Sequence, residues 1–132
     1  MKTILFIITA FTSMTACEST NQHSDTSNPV VQTLEQANLS DKLKEKDVVL
    51  VDVRTPEEVA EGYISGASHF INFYDDDFQT KIKSLDSTKT YVIYCRSGGR
   101  SGKAAQFMID NGFTKVFNLS GGISSYSGEV AK

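Results

Sequence analysis

The sequence predicts an α/β fold, a layer sandwich built on one parallel sheet. Short, nearly continuous runs of β-branched and aromatic residues recur along the chain, above all VVLVDV at 48–53 and YVIYC at 91–95. Such runs are the pattern of strands buried on both faces. Segments with helical spacing or helix-start signals lie between them, the alternation expected of parallel strands joined by crossover helices. With 132 residues, 39% of them hydrophobic and 22% charged, the chain holds one domain and excludes a multidomain architecture.

The first segment reads as an export signal. Met1, Lys2 and Thr3 make a short positive start, ILFIITAF fills 4–11, and the small or polar residues Thr12, Ser13, Thr15 and Ala16 follow. As a helix that run rises about 12 Å against a hydrocarbon core of roughly 30 Å, so it does not span a membrane. Met14-Thr15-Ala16-Cys17 resembles the lipobox of bacterial lipoproteins, with methionine where leucine is usual. That resemblance implies a signal peptide over 1–16, removed on export, and lipidation at Cys17. It also implies a place at the bacterial cell envelope, on the periplasmic side or at the outer membrane, held by lipid alone. Residues 17–29 are polar and lack apolar periodicity, so they read as a tether, with His23 solvated inside it. The folded domain is expected over 30–132.

Within that domain, strands are expected at 30–33, 48–53, 67–72, 91–95 and 115–119. The clearest helix runs over 101–111, where Ala104, Ala105, Met108 and Ile109 fall at helical spacing and Gly112 supplies a left-handed cap. Another starts after Thr55 as N-cap, with Pro56 at the first helical position and Glu57 and Glu58 in the first turn. Further helices are expected at 40–46 and 77–84. The run Asp75-Asp76-Asp77 lacks the spacing of a calcium loop and reads as a solvated loop capping the next helix.

Charge and composition remove several function classes. Thirteen basic against sixteen acidic residues give a formal charge of −3 with no basic block, which argues against a nucleic-acid partner. The two cysteines and two histidines stand at 17, 23, 69 and 95 without close pairing, so neither a structural zinc nor any other metal site is expected.

The stretch 91–113 carries the chemistry. Cys95 ends a buried strand and is followed by Arg96-Ser97-Gly98-Gly99-Arg100 and a helix opening at Ser101. A tight glycine-bearing loop between strand and helix lets successive backbone N–H groups converge on one point, and the helix N-terminus adds positive potential there. With Arg96 and Arg100 adjacent, Cys95 is expected to have a depressed pKa and to be largely thiolate, the nucleophilic form. His69 lies in the weakest strand and reads as structural. Asp52 and Arg54 fall at the end of the 48–53 strand, where ligands approach open parallel sheets.

At these residues the chain resembles the rhodanese family. CRSGGRS at 95–101 is similar to its active-site loop, VDVRTPEEVAEGYISGA at 51–67 to its upstream block, and NLSGGISSY at 118–126 to its C-terminal Gly-Gly block. The resemblance implies a rhodanese-like three-layer sandwich with a central parallel sheet of about five strands flanked by helices. It implies a sulfurtransferase in which Cys95 takes a sulfane sulfur from thiosulfate or a similar small anion, holds it as a persulfide and yields it to a thiol or cyanide. Arg96, Ser97, Gly98, Gly99, Arg100 and Ser101 form the substrate loop, Arg96 or Arg100 stabilises the departing anion, and no cofactor is required. Related phosphatases have one more loop residue, whereas Cys95 and Arg100 bracket four, a ring suited to one sulfur atom.

For Asp52 and Arg54 the resemblance implies a supporting role, beside the reading of an ordinary strand-end ion pair. Tyr63 and Tyr126 replace the histidine and tryptophan usual in the two flanking blocks, and an effect on the pocket rim or acceptor preference is expected. Two alternatives stand beside the enzyme: a non-catalytic rhodanese module, and a sulfur carrier serving a partner in the cell envelope. With Cys17 acylated, Cys95 has no cysteine to pair with, so the acceptor comes from outside.

Overall fold

The structure is a computed structural model and describes residues 28–132. The expected signal peptide, the expected lipidation site Cys17 and nearly all of the expected tether lie outside the described residues.

Five parallel strands form the central sheet: β1 (Gln32–Leu34), β2 (Val48–Asp52), β4 (Ala67–Phe70), β5 (Thr90–Tyr94) and β6 (Val116–Leu119), in the order β1-β6-β5-β2-β4. The two-residue strands β3 (Tyr63–Ile64) and β7 (Val130–Ala131) pair antiparallel as a separate ribbon. The ribbon was not foreseen, because two residues are too short to show a period. The helices are α1 (Leu39–Lys44), α2 (Pro56–Glu61), α3 (Phe78–Lys83) and α4 (Gly99–Asp110), with 3-10 turns at Gln36–Asn38 and Ile123–Ser125.

Alternation along β2 and β5 divides the core in two. Val51, Val53, Tyr91, Ile93 and Cys95 pack with Phe78 and Ile82 of α3 and with Ala104, Ala105 and Met108 of α4. Leu50, Val92 and Tyr94 face the other way and pack with Leu39, Ile64 and Leu119. Helices therefore cover both faces of the sheet, the expected three layers.

Local chemistry explains the element boundaries. Thr55 caps α2 through a full capping box with Glu58, and Pro56 stands in the first turn as expected. Gly112 follows α4 with a φ of 94°, the left-handed position its sequence suggested. Helix α4 begins at Gly99, two residues before Ser101, because Gly98 takes a φ of 111° and turns the chain into the helix early. Asp77 stands at the N-cap of α3 without a side-chain cap bond, contrary to the capping expected of the acidic run. Its carboxylate and that of Asp75 instead pair with Lys81 at 3.0 and 3.4 Å.

The strand order places the site. Chain direction across the sheet diverges after β2 and β5, which are adjacent and in register from Val48↔Thr90 to Asp52↔Tyr94. Loops leaving two such strands in opposite directions open a crevice at their carboxyl ends. Arg54 and Cys95 leave from those ends.

Candidate active site

Cys95 follows β5 directly and is 1% exposed. Its Sγ accepts a hydrogen bond from the Gly98 N–H at 3.1 Å and lies 3.3 Å from the Ser101 Oγ. The left-handed Gly98 is what folds that N–H back onto the sulfur, a conformation glycine adopts without steric cost. Burial pushes the Cys95 thiol up, but hydrogen bonds from the Ser101 hydroxyl and from the N–H groups of Ser101, Gly98 and Ser97 outweigh it and hold the thiol below its ordinary value.

Asn118, on β6, secures that turn from the neighbouring strand. Its Nδ2 donates to the Gly98 carbonyl at 3.2 Å and its Oδ1 accepts from the Ser101 hydroxyl at 2.7 Å. Ser101 has one hydroxyl proton and two acceptors in reach, Asn118 and Cys95.

The two loop arginines differ from expectation. Arg100 is held by Glu58 in a bidentate pair, Nη1 to Oε2 at 2.7 Å and Nη2 to Oε1 at 2.8 Å, and its guanidinium lies 5.6 Å from the Tyr74 ring centre. Arg96 is exposed. The leading influences that lower the Cys95 thiol are hydrogen bonds from the loop. Glu58 in turn is lowered to about 2, first by its bonds to Arg100, against the opposing effect of burial, with the Thr55 N–H adding to the stabilisation.

Asp52 and Arg54 form a buried ion pair at 2.7 Å, 0% and 6% exposed. Arg54 donates from Nε and Nη2 to the Asp52 carboxylate, from Nη2 to the Gly62 carbonyl at 2.8 Å and from Nη1 to the Glu58 carbonyl at 3.3 Å. The pair thus ties α2 to β2 at Glu58 and at the C-cap Gly62, and Glu58 also grips Arg100. In this geometry Asp52 and Arg54 are a buried ion pair that also anchors the helix carrying Glu58.

The Gly-Gly block closes the site from below. Gly122, at φ 57°, lies so near the loop that a β-carbon there would stand 2.5 Å from the Cys95 carbonyl oxygen and 2.6 Å from that of Arg96. The N–H groups of Ile123 and Ser124 donate to those two carbonyls at 2.9 and 3.0 Å. Gln36 donates to the Ser120 and Gly122 carbonyls and holds the block in turn.

Beside the loop lies a depression lined by Arg54, Glu58, Glu61, Arg96, Ile123 and Ser124; Cys95 is not among its lining residues. Neither Tyr63 nor Tyr126 is among those lining residues. Tyr63 packs edge-on against Phe70 at 4.9 Å, and Tyr126 lines a separate groove with Leu39 and Leu43. His69 sits on β4, with β2 between it and the Cys95 strand, and its Nδ1 meets Ser68 Oγ at 3.0 Å. Among the described residues no group of three or more His, Cys, Asp or Glu side chains could hold a metal ion.

Sequence reasoning named the loop and the Asp52–Arg54 pair but missed Glu58, Asn118 and Gln36 as parts of this frame. Two of them had left a signal: Thr55-x-x-Glu58 is a capping-box spacing, and Asn118 interrupts an otherwise apolar strand.

Comparison with known proteins agrees with this architecture. The family model for the rhodanese-like domain matches residues 35–129. The putative sulfurtransferase YtwF of Bacillus subtilis is 37% identical over 101 residues, covering 76% of this chain and 94% of that protein. Thiosulfate sulfurtransferase GlpE of Pseudomonas entomophila is 34% identical over 94 residues, covering 68% and 84%. The crystal structure of a rhodanese-like domain protein from Staphylococcus aureus matches with a TM-score of 0.65 and 33% identity, covering 75% of this chain and 94% of that one. A match over most of the chain, with a loop, ion pair and Gly-Gly block built around one cysteine, means that the chain belongs to the rhodanese-like domain family.

Proposed function

We propose that the protein is a sulfurtransferase that works through a Cys95 persulfide. The observation that carries the reading is the buried Cys95 Sγ, met by the Gly98 N–H and the Ser101 hydroxyl in a loop that favours the anion. The thiolate attacks the outer sulfur of thiosulfate; the new S–S bond forms as the old one breaks, and sulfite leaves with the bonding pair. The loop N–H groups hold the terminal sulfur of the persulfide, and Arg96, exposed next to Cys95, meets the departing anion. A thiolate or cyanide then attacks that terminal sulfur and carries it off, leaving Cys95 as thiolate. Sulfurtransferase names among the relatives support this reading.

The test is thiocyanate formation from thiosulfate and cyanide. Activity in the wild type that disappears in Cys95→Ser agrees with the proposal; activity that survives the substitution overturns it.

The N-terminal reading belongs to the same proposal. Residues 1–16 direct export, Cys17 carries the lipid, and 17–29 tether a domain over 30–132 to the bacterial cell envelope. The sequence of the leader and of Met14-Thr15-Ala16-Cys17 supports it. Incorporation of labelled palmitate that is lost in Cys17→Ala is the expected result, and no incorporation in the wild type rejects it.

A further inference from the structure

Arg100 closes the Cys95 loop, yet the Nη1–Nη2 edge of its guanidinium is already occupied. Glu58 takes both Nη1 and Nη2, Tyr74 covers the guanidinium, and the side chain is 18% exposed. Glu58 is itself fixed: the Thr55 N–H donates to its Oε2 at 3.0 Å, and the Thr55 Oγ1 accepts from the Glu58 N–H at 3.3 Å. Arg96, by contrast, is exposed and makes no ion pair among the described residues. A guanidinium recognises tetrahedral oxyanions through the paired N–H groups of its planar fork, and a carboxylate seated on the Nη1–Nη2 edge occupies that edge and offsets the charge.

We propose that Glu58 is a specificity-determining residue that withholds Arg100 from tetrahedral oxyanions at the Cys95 loop. Arg96, exposed next to Cys95, is then left as the cation that meets the charged end of a sulfur donor. A phosphate or sulfate seated over Sγ needs several of its oxygens bound at once, and the loop arginine is the natural partner for them. A sulfane donor presents one soft sulfur to the N–H groups and directs its oxygens outward, so it loses little when Arg100 is unavailable. The inference deepens the proposed sulfur-transfer reading of the same site.

The experiment is alkylation of Cys95 by iodoacetamide at constant ionic strength, with inorganic phosphate or sulfate added as protectant. Anion occupancy over Sγ slows alkylation whether or not a persulfide ever forms, so a failure here is distinct from a failure of sulfur transfer. Glu58→Gln is the chosen variant because its amide oxygen still accepts from the Thr55 N–H. It is expected to be protected at about tenfold lower phosphate or sulfate concentration than the wild type. The gain is expected to vanish in Glu58→Gln combined with Arg100→Ala. Equal protection in Glu58→Gln and wild type overturns the proposal, as does a gain that survives loss of Arg100. Should Glu58→Gln fail to fold, Arg100→Lys in the wild-type background decides the matter: unchanged oxyanion protection is expected, and weakened protection shows that Arg100 was available all along.

Discussion

Gly122 presses against the Cys95 carbonyl, with room for a hydrogen atom but not for a methyl group. The contact orients the loop. Within a peptide unit the C=O and N–H point in opposite directions. The Ile123 and Ser124 N–H groups hold the Cys95 and Arg96 carbonyls to one side. The N–H of the following residue in each unit is thereby turned to the other side, and the Ser97 N–H is among the groups that stabilise the sulfur anion.

Gly122→Ala is therefore expected to be costly, by about 3 kcal/mol or more, because it combines a left-handed φ with overlap on two backbone oxygens. Gly99→Ala, whose β-carbon would meet nothing within 4 Å, is expected to be neutral or to stabilise by up to about 1 kcal/mol. Urea unfolding of the two variants checks the contrast; equal effects contradict it.

Ser101 sets the reactivity of Cys95 through its hydroxyl. The pH profile of Cys95 alkylation is expected to have its midpoint below that of an unperturbed thiol, since the hydrogen bonds outweigh burial. In Ser101→Ala the midpoint moves upward, because burial remains while the hydroxyl donor is lost. A midpoint unchanged or lowered in the variant contradicts this account.

Removing one partner of the Asp52–Arg54 pair leaves a buried charge unmatched. Asp52→Asn is expected to cost about 3–5 kcal/mol by denaturant unfolding. Because Arg54 also holds the Glu58 and Gly62 carbonyls, the loss extends to α2 and to the grip on Arg100. A change below about 1 kcal/mol contradicts the role assigned to the pair.

Glu58 gives the fold an acid dependence. Its carboxyl is depressed from 4.5 to about 2, so its contribution is fully present above 4.5 and fades as the pH falls towards 2, where the folded state also protonates. Thermal unfolding of the wild type between those pH values is expected to lose stability more steeply than that of Glu58→Gln. Equal slopes exclude the pair as a source of that dependence.

The strands and the loop were legible because their signals are local. VVLVDV and YVIYC are too continuously apolar for anything but doubly buried strands, and Gly-Gly between a strand and a helix announces a tight turn. The missing parts are long-range. Glu58 and Arg100 are 42 residues apart, and Asn118 reaches Gly98 across 20, so only the folded sheet brings them together. Arg100 misled for the same reason: adjacency to Cys95 in sequence suggested an unpaired guanidinium, and the Glu58 that pairs with it lies on another helix.

The central claim is that Cys95 carries sulfane sulfur, and intact mass spectrometry of the protein before and after thiosulfate tests it without assuming an acceptor. The account predicts a gain of one sulfur atom that dithiothreitol removes and that Cys95→Ala does not acquire. No gain with thiosulfate, polysulfide or mercaptopyruvate, or a gain retained by Cys95→Ala, would contradict it.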